Sequence, residues 1–239
     1  MGTSAARRGP TSRRWRLAKV AATRFLSPEG GMPVTAREVL SRYAAALEET
    51  PGPEGRDLLG SFRLTRKTGQ NLGDFLTVAA SQGWDAALAR CGLEDLLGQA
   101  PDIQVQALSA TLAGPSGSLE AAVARTALVE TLMVWTARRE PPALLSPEAP
   151  GTAPTAVVCR FLADAVYVRL VLDLGEPLEA AGHSYAHLRQ GLEALKSRVE
   201  QALGGVLIPA PPKPEQWPGL AGWTWVTQVM DALFRQLKE

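Results

Sequence analysis

The sequence has few of the side chains that most enzymes use for catalysis. Its 239 residues include only two cysteines and two histidines. Cys91 and Cys159 form no CxxC motif, so we predict two reduced thiols, with a disulfide left open because their separation is unknown. His183 and His187 have an i, i+4 spacing, but the glutamate of HExxH is missing and no third ligand is indicated. We therefore predict no catalytic residue, no metal and no cofactor, with a metal-dependent hydrolase as a minor alternative.

Phosphate-binding motifs and long apolar runs are also missing. There is neither a GxxxxGK[ST] nor a GxGxxG motif. The most apolar stretch, 157–174, contains two arginines and two aspartates, which a lipid bilayer would reject. Lys19 and Arg24 interrupt what would have to be the apolar part of a secretory signal. We expect a cytoplasmic protein without membrane contact, and a mitochondrial transit peptide is a minor alternative because the first residues are rich in arginine.

The periodicity of apolar residues predicts an all-α, multi-helix protein. Thr35 and Glu38 have capping-box spacing at a helix start, and Ser118 caps a helix to about Arg138. Shorter helices are predicted at about 54–65, 71–81, 84–91 and 101–112. The glycines expected to end helices are Gly69, Gly83, Gly92, Gly98 and Gly114.

The second half predicts three more helices. Residues 157–174 are apolar nearly all round, as in the central helix of a bundle. Two stripes with spacings of 3 and 4 follow: Tyr185, Leu188, Leu192, Leu195, Val199 and Leu203, then Trp223, Val226, Met230, Leu233 and Leu237. Residues 206–208 have strand-like composition, but a single strand has no partner.

Proline content suggests a division into two helical parts. Residues 140–154 include five prolines, which predicts a linker. The predicted organisation is a flexible basic arm with a short amphipathic helix (1–33), a helical domain (34–139), the linker (140–154) and a C-terminal helical bundle (155–239).

Charge is concentrated at the start of the chain. Residues 1–24 hold seven of the 25 basic residues and none of the 24 acidic ones. In the predicted helix of this arm, one face carries Trp15, Ala18, Ala22, Phe25 and Leu26, and the opposite face carries Arg13, Arg16 and Arg24. We favour a helix docked on the body with a solvated cationic face. The alternative is nucleic-acid binding through Arg7, Arg8, Arg13, Arg14, Arg16 and Lys19.

The first residues offer one possible reactive group. Gly2 allows the initiator methionine to be removed, which would expose an α-amine with a pKa near 8, a better nucleophile at neutral pH than lysine. The myristoylation pattern needs Ser or Thr at position six, where the chain has Ala6. A small second residue is also common without any functional meaning.

Four stretches resemble the QatB component of the Qat anti-phage defence system, in the order of that family. They are Met1–Ser4 with Gly9 and Pro10; Asn71–Leu76 with Gly92–Gly98; Gly114–Ser118 with 124–132; and Arg160–Leu162 through Glu176. The resemblance implies a non-catalytic scaffold whose partners are an ATPase, a QueC-like enzyme and possibly a TatD-like nuclease. It also implies that Gly2 accepts a deazaguanine-type modification. The residues expected to recognise partners are Thr3, Ser4, Arg7, Arg8, Arg13, Arg14, Trp15 and Arg16.

Overall fold

A computed structural model describes residues 12–27, 33–49, 51–52, 55–56, 59–115, 117–137 and 153–239. These residues form nine α-helices: α1 (Arg13–Leu26), α2 (Ala36–Leu47), α3 (Arg63–Gln82), α4 (Trp84–Arg90), α5 (Pro101–Ala113), α6 (Leu119–Ala137), α7 (Ala153–Ala181), α8 (Tyr185–Gly204) and α9 (Leu220–Lys238). Short 3-10 helices lie at Leu59–Phe62, Glu94–Leu96 and Pro214–Gln216. The two-residue strands β1 (Pro51–Gly52) and β2 (Gly55–Arg56) pair antiparallel, with Pro51 opposite Arg56. The all-α prediction is confirmed. None of the described helices combines the length and hydropathy needed to cross a bilayer.

The central helix is α7, as its apolar composition predicted. Phe161, Leu162, Val166 and Leu170 are fully buried, and α1, α3, α6 and α8 all pack directly on it. The helices before and after the predicted linker therefore share one hydrophobic core. Residues 138–152 lie outside the described part of the chain, and α7 already begins at Ala153.

Side-chain caps define several helix starts. The Thr35 hydroxyl accepts a hydrogen bond from the Glu38 amide at 3.2 Å, and Ser118 Oγ accepts from the Ala121 amide at 3.2 Å. The Glu38 carboxylate pairs with Arg42 on the next turn of α2. The predicted helix starts are thus confirmed.

Glycine ends four helical segments as predicted, but Gly69 does not. Gly83, Gly92, Gly98 and Gly114 all have positive φ, the conformation that glycine adopts without steric cost. Gly69 lies inside α3, so the prediction of separate helices at 54–65 and 71–81 is wrong. A Cβ at Gly69 would lie 3.3 Å from Leu162 Cδ2 on α7, so this glycine permits close helix packing.

The predicted apolar stripe of α9 is mostly buried, whereas that of α8 packs on the core with only some of its side chains fully buried. In α8, Leu195 and Val199 are in the core, whereas Tyr185 is 80% exposed at the first turn. Residues 206–208 form no strand, and Leu207 is 92% exposed.

The two cysteines are free thiols in different environments. Cys159 is buried in α7, and burial raises its pKa to about 12. Cys91 is half-buried after α4; its pKa is raised by burial and by Asp74, and lowered by Arg90. We expect a thiol reagent such as DTNB to label only Cys91 in the native protein and to reach Cys159 after denaturation. Labelling of both thiols at equal rates without denaturant would contradict this burial.

Candidate functional site

The described chain begins at Ser12, and two contacts fix this point. Ser12 Oγ accepts a hydrogen bond from the Trp15 amide at 3.4 Å, which caps α1. The same hydroxyl donates to Glu49 Oε2 at 2.7 Å. Because Glu49 follows α2, the start of α1 is held against the end of α2.

Arg14 strengthens this junction. Its guanidinium donates to the Ala45 carbonyl at 3.2 Å and lies 3.2 Å from Glu48 Oε2 and from Glu49 Oε1. A cation at this position also compensates the negative end of the α2 dipole. The Arg14 side chain is 46% exposed, so each ion pair contributes at most about 1 kcal/mol. The contacts therefore orient α1 more than they stabilise the fold.

Trp15 joins α1 to the core. Its side chain is 2% exposed and meets the Tyr43 ring edge-on, with centroids 5.8 Å apart. The Tyr43 hydroxyl donates to Asp173 Oδ2 at 2.8 Å, and Arg169 Nε lies 2.9 Å from the same oxygen. Burial, followed by the nearby Asp173 charge, raises the pKa of Tyr43 well above 10, so the phenol stays a hydrogen-bond donor at neutral pH.

The outer face of α1 is cationic and partly apolar. Arg13, Arg16 and Arg24 are exposed on it, beside Leu17 and Val20, which are each 45% exposed. Within the described residues, no carboxylate lies within 4.0 Å of these three arginines. We call these five residues the α1 outer face. Its charge and apolar atoms are available to a partner.

The structure thus separates the predicted recognition residues into three groups. Gly2, Thr3, Ser4, Arg7 and Arg8 lie outside the described residues. Arg13 and Arg16 share the exposed outer face. Arg14 is directed towards α2, and Trp15 lies in the core, where a partner can reach it only if α1 leaves the body.

A family comparison bears directly on function. Residues 56–234 match the model of the family described as QatB, Qat anti-phage system associated protein. The chain belongs to the QatB family. No curated protein and no solved structure gives a significant match. Membership makes the chain a component of the Qat anti-phage system, as the resemblance implied. The match covers α3 to α8 and most of α9, whereas α1 and α2 precede it.

Within the QatB match, one buried and one half-buried carboxylate tie helices together, and the sequence did not reveal them. Asp164 on α7 is 3% exposed; it accepts from Thr131 Oγ1 on α6 and from Arg160 Nε, both at 2.9 Å. Glu120 on α6 accepts from the Leu64 and Thr65 amides at the start of α3. Burial raises the pKa of Glu120, although these amides and nearby arginines oppose the shift. Each carboxylate has its partners within the fold, so we assign them structural roles.

The two histidines lie close together at the start of α8. Their rings are nearly parallel, with centroids 5.9 Å apart, and Ser27 Oγ is 3.4 Å from His183 Nε2. No group of three or more metal-ligating side chains occurs among the residues that the structure describes.

Proposed function

We propose that this QatB-family protein is a non-enzymatic, cytoplasmic adaptor that presents its Gly2 amine to a QueC-like enzyme. The helical body would bind the ATPase of the same system, and a TatD-like nuclease is a possible further partner. The modification would form an amide bond between the Gly2 α-amine and an activated carboxyl group on a deazaguanine-type base, the activating group leaving and the amine losing a proton, with Thr3 and Ser4 next to the site. Family membership supports a role in the Qat system, and the geometry of α1 supports the presentation of the arm.

The attachment of α1 is the observation that carries the proposal. Ser12 and Arg14 hold the start of α1 against Glu48 and Glu49, so the position of Ser12, the point from which the arm would be presented, is fixed on the body. Ten residues from Gly2 to Ser12 span at most about 35 Å when extended. A modifying enzyme docked on the α1 outer face would therefore have the Gly2 amine within reach. Because a free α-amine has a pKa near 8, about a tenth of it is uncharged at neutral pH, far more than for a lysine side chain with a pKa near 10.4.

Intact-mass spectrometry tests the modification. We expect the chain purified after co-expression with the QueC-like enzyme to lack Met1 and to carry an added mass on its N-terminal peptide. The chain expressed alone should carry only the loss of Met1. Gly2→Ala is the matched control, because it keeps a small second residue and an α-amine but adds a methyl group next to the acceptor nitrogen, and we expect less of the added mass on this variant. An unmodified or Met-retaining terminus in the presence of the enzyme would contradict the proposal.

Nucleic-acid binding is the second candidate, favoured by the exposed cations of the α1 outer face, which have no carboxylate within 4.0 Å among the described residues. Phosphate contacts release counterions, so such binding would weaken steeply with salt. An electrophoretic shift at 50 mM salt that disappears at about 200 mM would support it. The absence of any shift at the lower concentration would exclude this function.

A further inference from the structure

Three large apolar side chains are exposed in the connection between α8 and α9 and at the start of α9. Leu207 is 92% exposed and Ile208 46%, while Leu220, at the start of α9, is 78% exposed. Residues 209–214 read Pro-Ala-Pro-Pro-Lys-Pro. We call residues 207–214 the proline ridge.

The ridge is held in place at both ends. Trp225 Nε1 donates to the Pro209 carbonyl at 3.1 Å, and the Lys213 amide donates to Gln216 Oε1 at 2.9 Å. Beyond it, Trp217 is 2% exposed, and Gln70 Nε2 on α3 donates to its carbonyl at 2.8 Å. The exposed leucine and isoleucine therefore belong to an anchored segment.

The backbone of the ridge favours the polyproline II conformation. Each proline fixes its own φ near −65° and restricts the preceding residue to extended conformations. Lys213, which precedes Pro214, has φ −64° and ψ 155°, close to polyproline II values. A partner would therefore bind a preformed shape and would not have to order it.

Acceptors outnumber donors on the ridge. Its four prolines have no N–H, and within the described chain no donor reaches the carbonyls of residues 207, 208 and 210–212, whereas only the amides of residues 207, 208 and 210 are left as donors. The outer side of the ridge thus presents apolar side chains together with backbone acceptors. A groove of about 560 Å³ runs alongside it, lined by Pro211, Pro212, Gln216, Leu220, Thr224 and Gln228.

The inner side of the ridge contains one side chain that already satisfies such a surface. There the Trp225 ring packs under the loop, and its indole N–H donates to a proline carbonyl. Tryptophan and tyrosine combine an apolar ring with one donor, which is what a surface of apolar groups and acceptors can satisfy. Aromatic-lined grooves recognise proline-rich segments in this way. A Lys213 ammonium at the edge would also be attracted to an aromatic face.

We propose that the proline ridge docks into an aromatic-lined groove on a partner protein, whose tryptophan or tyrosine side chains donate to its unpaired carbonyls. This inference rests on the proposed adaptor function in one respect, since the partner belongs to the same complex. It places partner binding next to the start of α9, whereas α1 is attached to the body beside Glu48, which lies near the end of α9. The adaptor would then hold one partner at the ridge while its arm serves another.

Equilibrium binding of the full chain to the purified ATPase and to the QueC-like protein tests the ridge. We expect Leu207→Asp to weaken binding to one of them by about 30-fold, as for a central interface residue. Pro211→Ala combined with Pro212→Ala should weaken it by about 5-fold through lost preorganisation. Leu172→Asp is the matched control, because Leu172 is an equally apolar residue, 54% exposed on α7, and it should leave affinity unchanged. Thermal unfolding should be the same for the two aspartate variants and the unaltered chain, and the double alanine variant should unfold at a slightly lower temperature because its unfolded chain gains entropy.

The possible failures are distinguishable. If the unaltered chain binds neither protein, the adaptor function falls and the ridge proposal falls with it. If it binds and Leu207→Asp binds equally well, only the ridge proposal is overturned. A photo-crosslinking benzoylphenylalanine at position 208 adds an independent readout: we expect crosslinks to partner peptides containing tryptophan or tyrosine. Crosslinks only to a second copy of this chain would overturn the proposal.

Discussion

Gly73→Ala is expected to lower the free energy of unfolding by about 3 kcal/mol. A Cβ at Gly73 would lie 2.2 Å from two ring atoms of Trp217. This ring is buried, and the backbone carbonyl of Trp217 accepts a hydrogen bond from Gln70. Because Trp217 is 2% exposed, we expect the clash to be relieved by α3 and the loop before α9 moving apart. The clash outweighs the gain of about 1 kcal/mol that alanine gives over glycine inside a helix. Urea unfolding followed by circular dichroism measures the change.

Gly175→Ala is the matched control for this prediction. Gly175 also lies inside a helix, but nothing lies within 4 Å of its added Cβ. We expect this variant to be as stable as the unaltered protein or up to about 1 kcal/mol more stable. Trp217→Leu should relieve the clash, so the loss on adding Gly73→Ala should be smaller in that background. Equal losses in both backgrounds would show that Trp217 is not the obstacle.

Gly69 and Gly73 show why the sequence predicted helix ends better than helix continuity. A glycine that ends a helix and one that lets another helix approach are the same residue type, and local spacing does not distinguish them. The four glycines with positive φ were predicted because turn residues follow a local rule. The role of Gly69 depends on Leu162, 93 positions later in the sequence, and this pairing is set by tertiary packing alone.

The candidate site shows the same limit. Helical periodicity placed Trp15 and Arg13 on opposite faces of α1, and the structure has them there. Periodicity could not show that the Trp15 face is completely covered by the body, because that depends on the position of Tyr43 in α2. It also gave no reason for Arg14 to differ from its neighbours, since its partners Glu48 and Glu49 are distant in sequence. The family match begins at residue 56, so the proposed presentation of the arm depends on the contacts of α1.

These contacts make α1 a fixed base for whatever precedes it. At its far end, a Cβ at Gly191 of α8 would lie 2.2 Å from Leu26 Cδ2, so α1 is closely packed at both ends. A helix attached in this way keeps the α1 outer face and the start of the arm in a constant relation to the body. If α1 detached readily, a partner could bind the buried face as well, and the position of the arm would no longer be defined.

Trp15→Ala is expected to separate these possibilities, with a loss of about 3–5 kcal/mol in unfolding free energy. The indole is 2% exposed and packs on Tyr43, so its removal leaves a cavity between α1 and the core. Leu17→Ala is the control on the same helix: Leu17 is 45% exposed, and its loss should change stability by less than about 0.5 kcal/mol. For binding of the QueC-like enzyme to folded protein we expect the opposite order. Leu17→Ala should weaken this binding more than Trp15→Ala, because Leu17 lies on the α1 outer face.

Hydrogen exchange of the α1 amides measures the attachment of α1 directly. Exchange in Trp15→Ala should speed up in α1 before it does in α7. A small stability loss with unchanged exchange would mean that α1 is not anchored by this side chain, and the defined starting point of the arm would lose its physical basis.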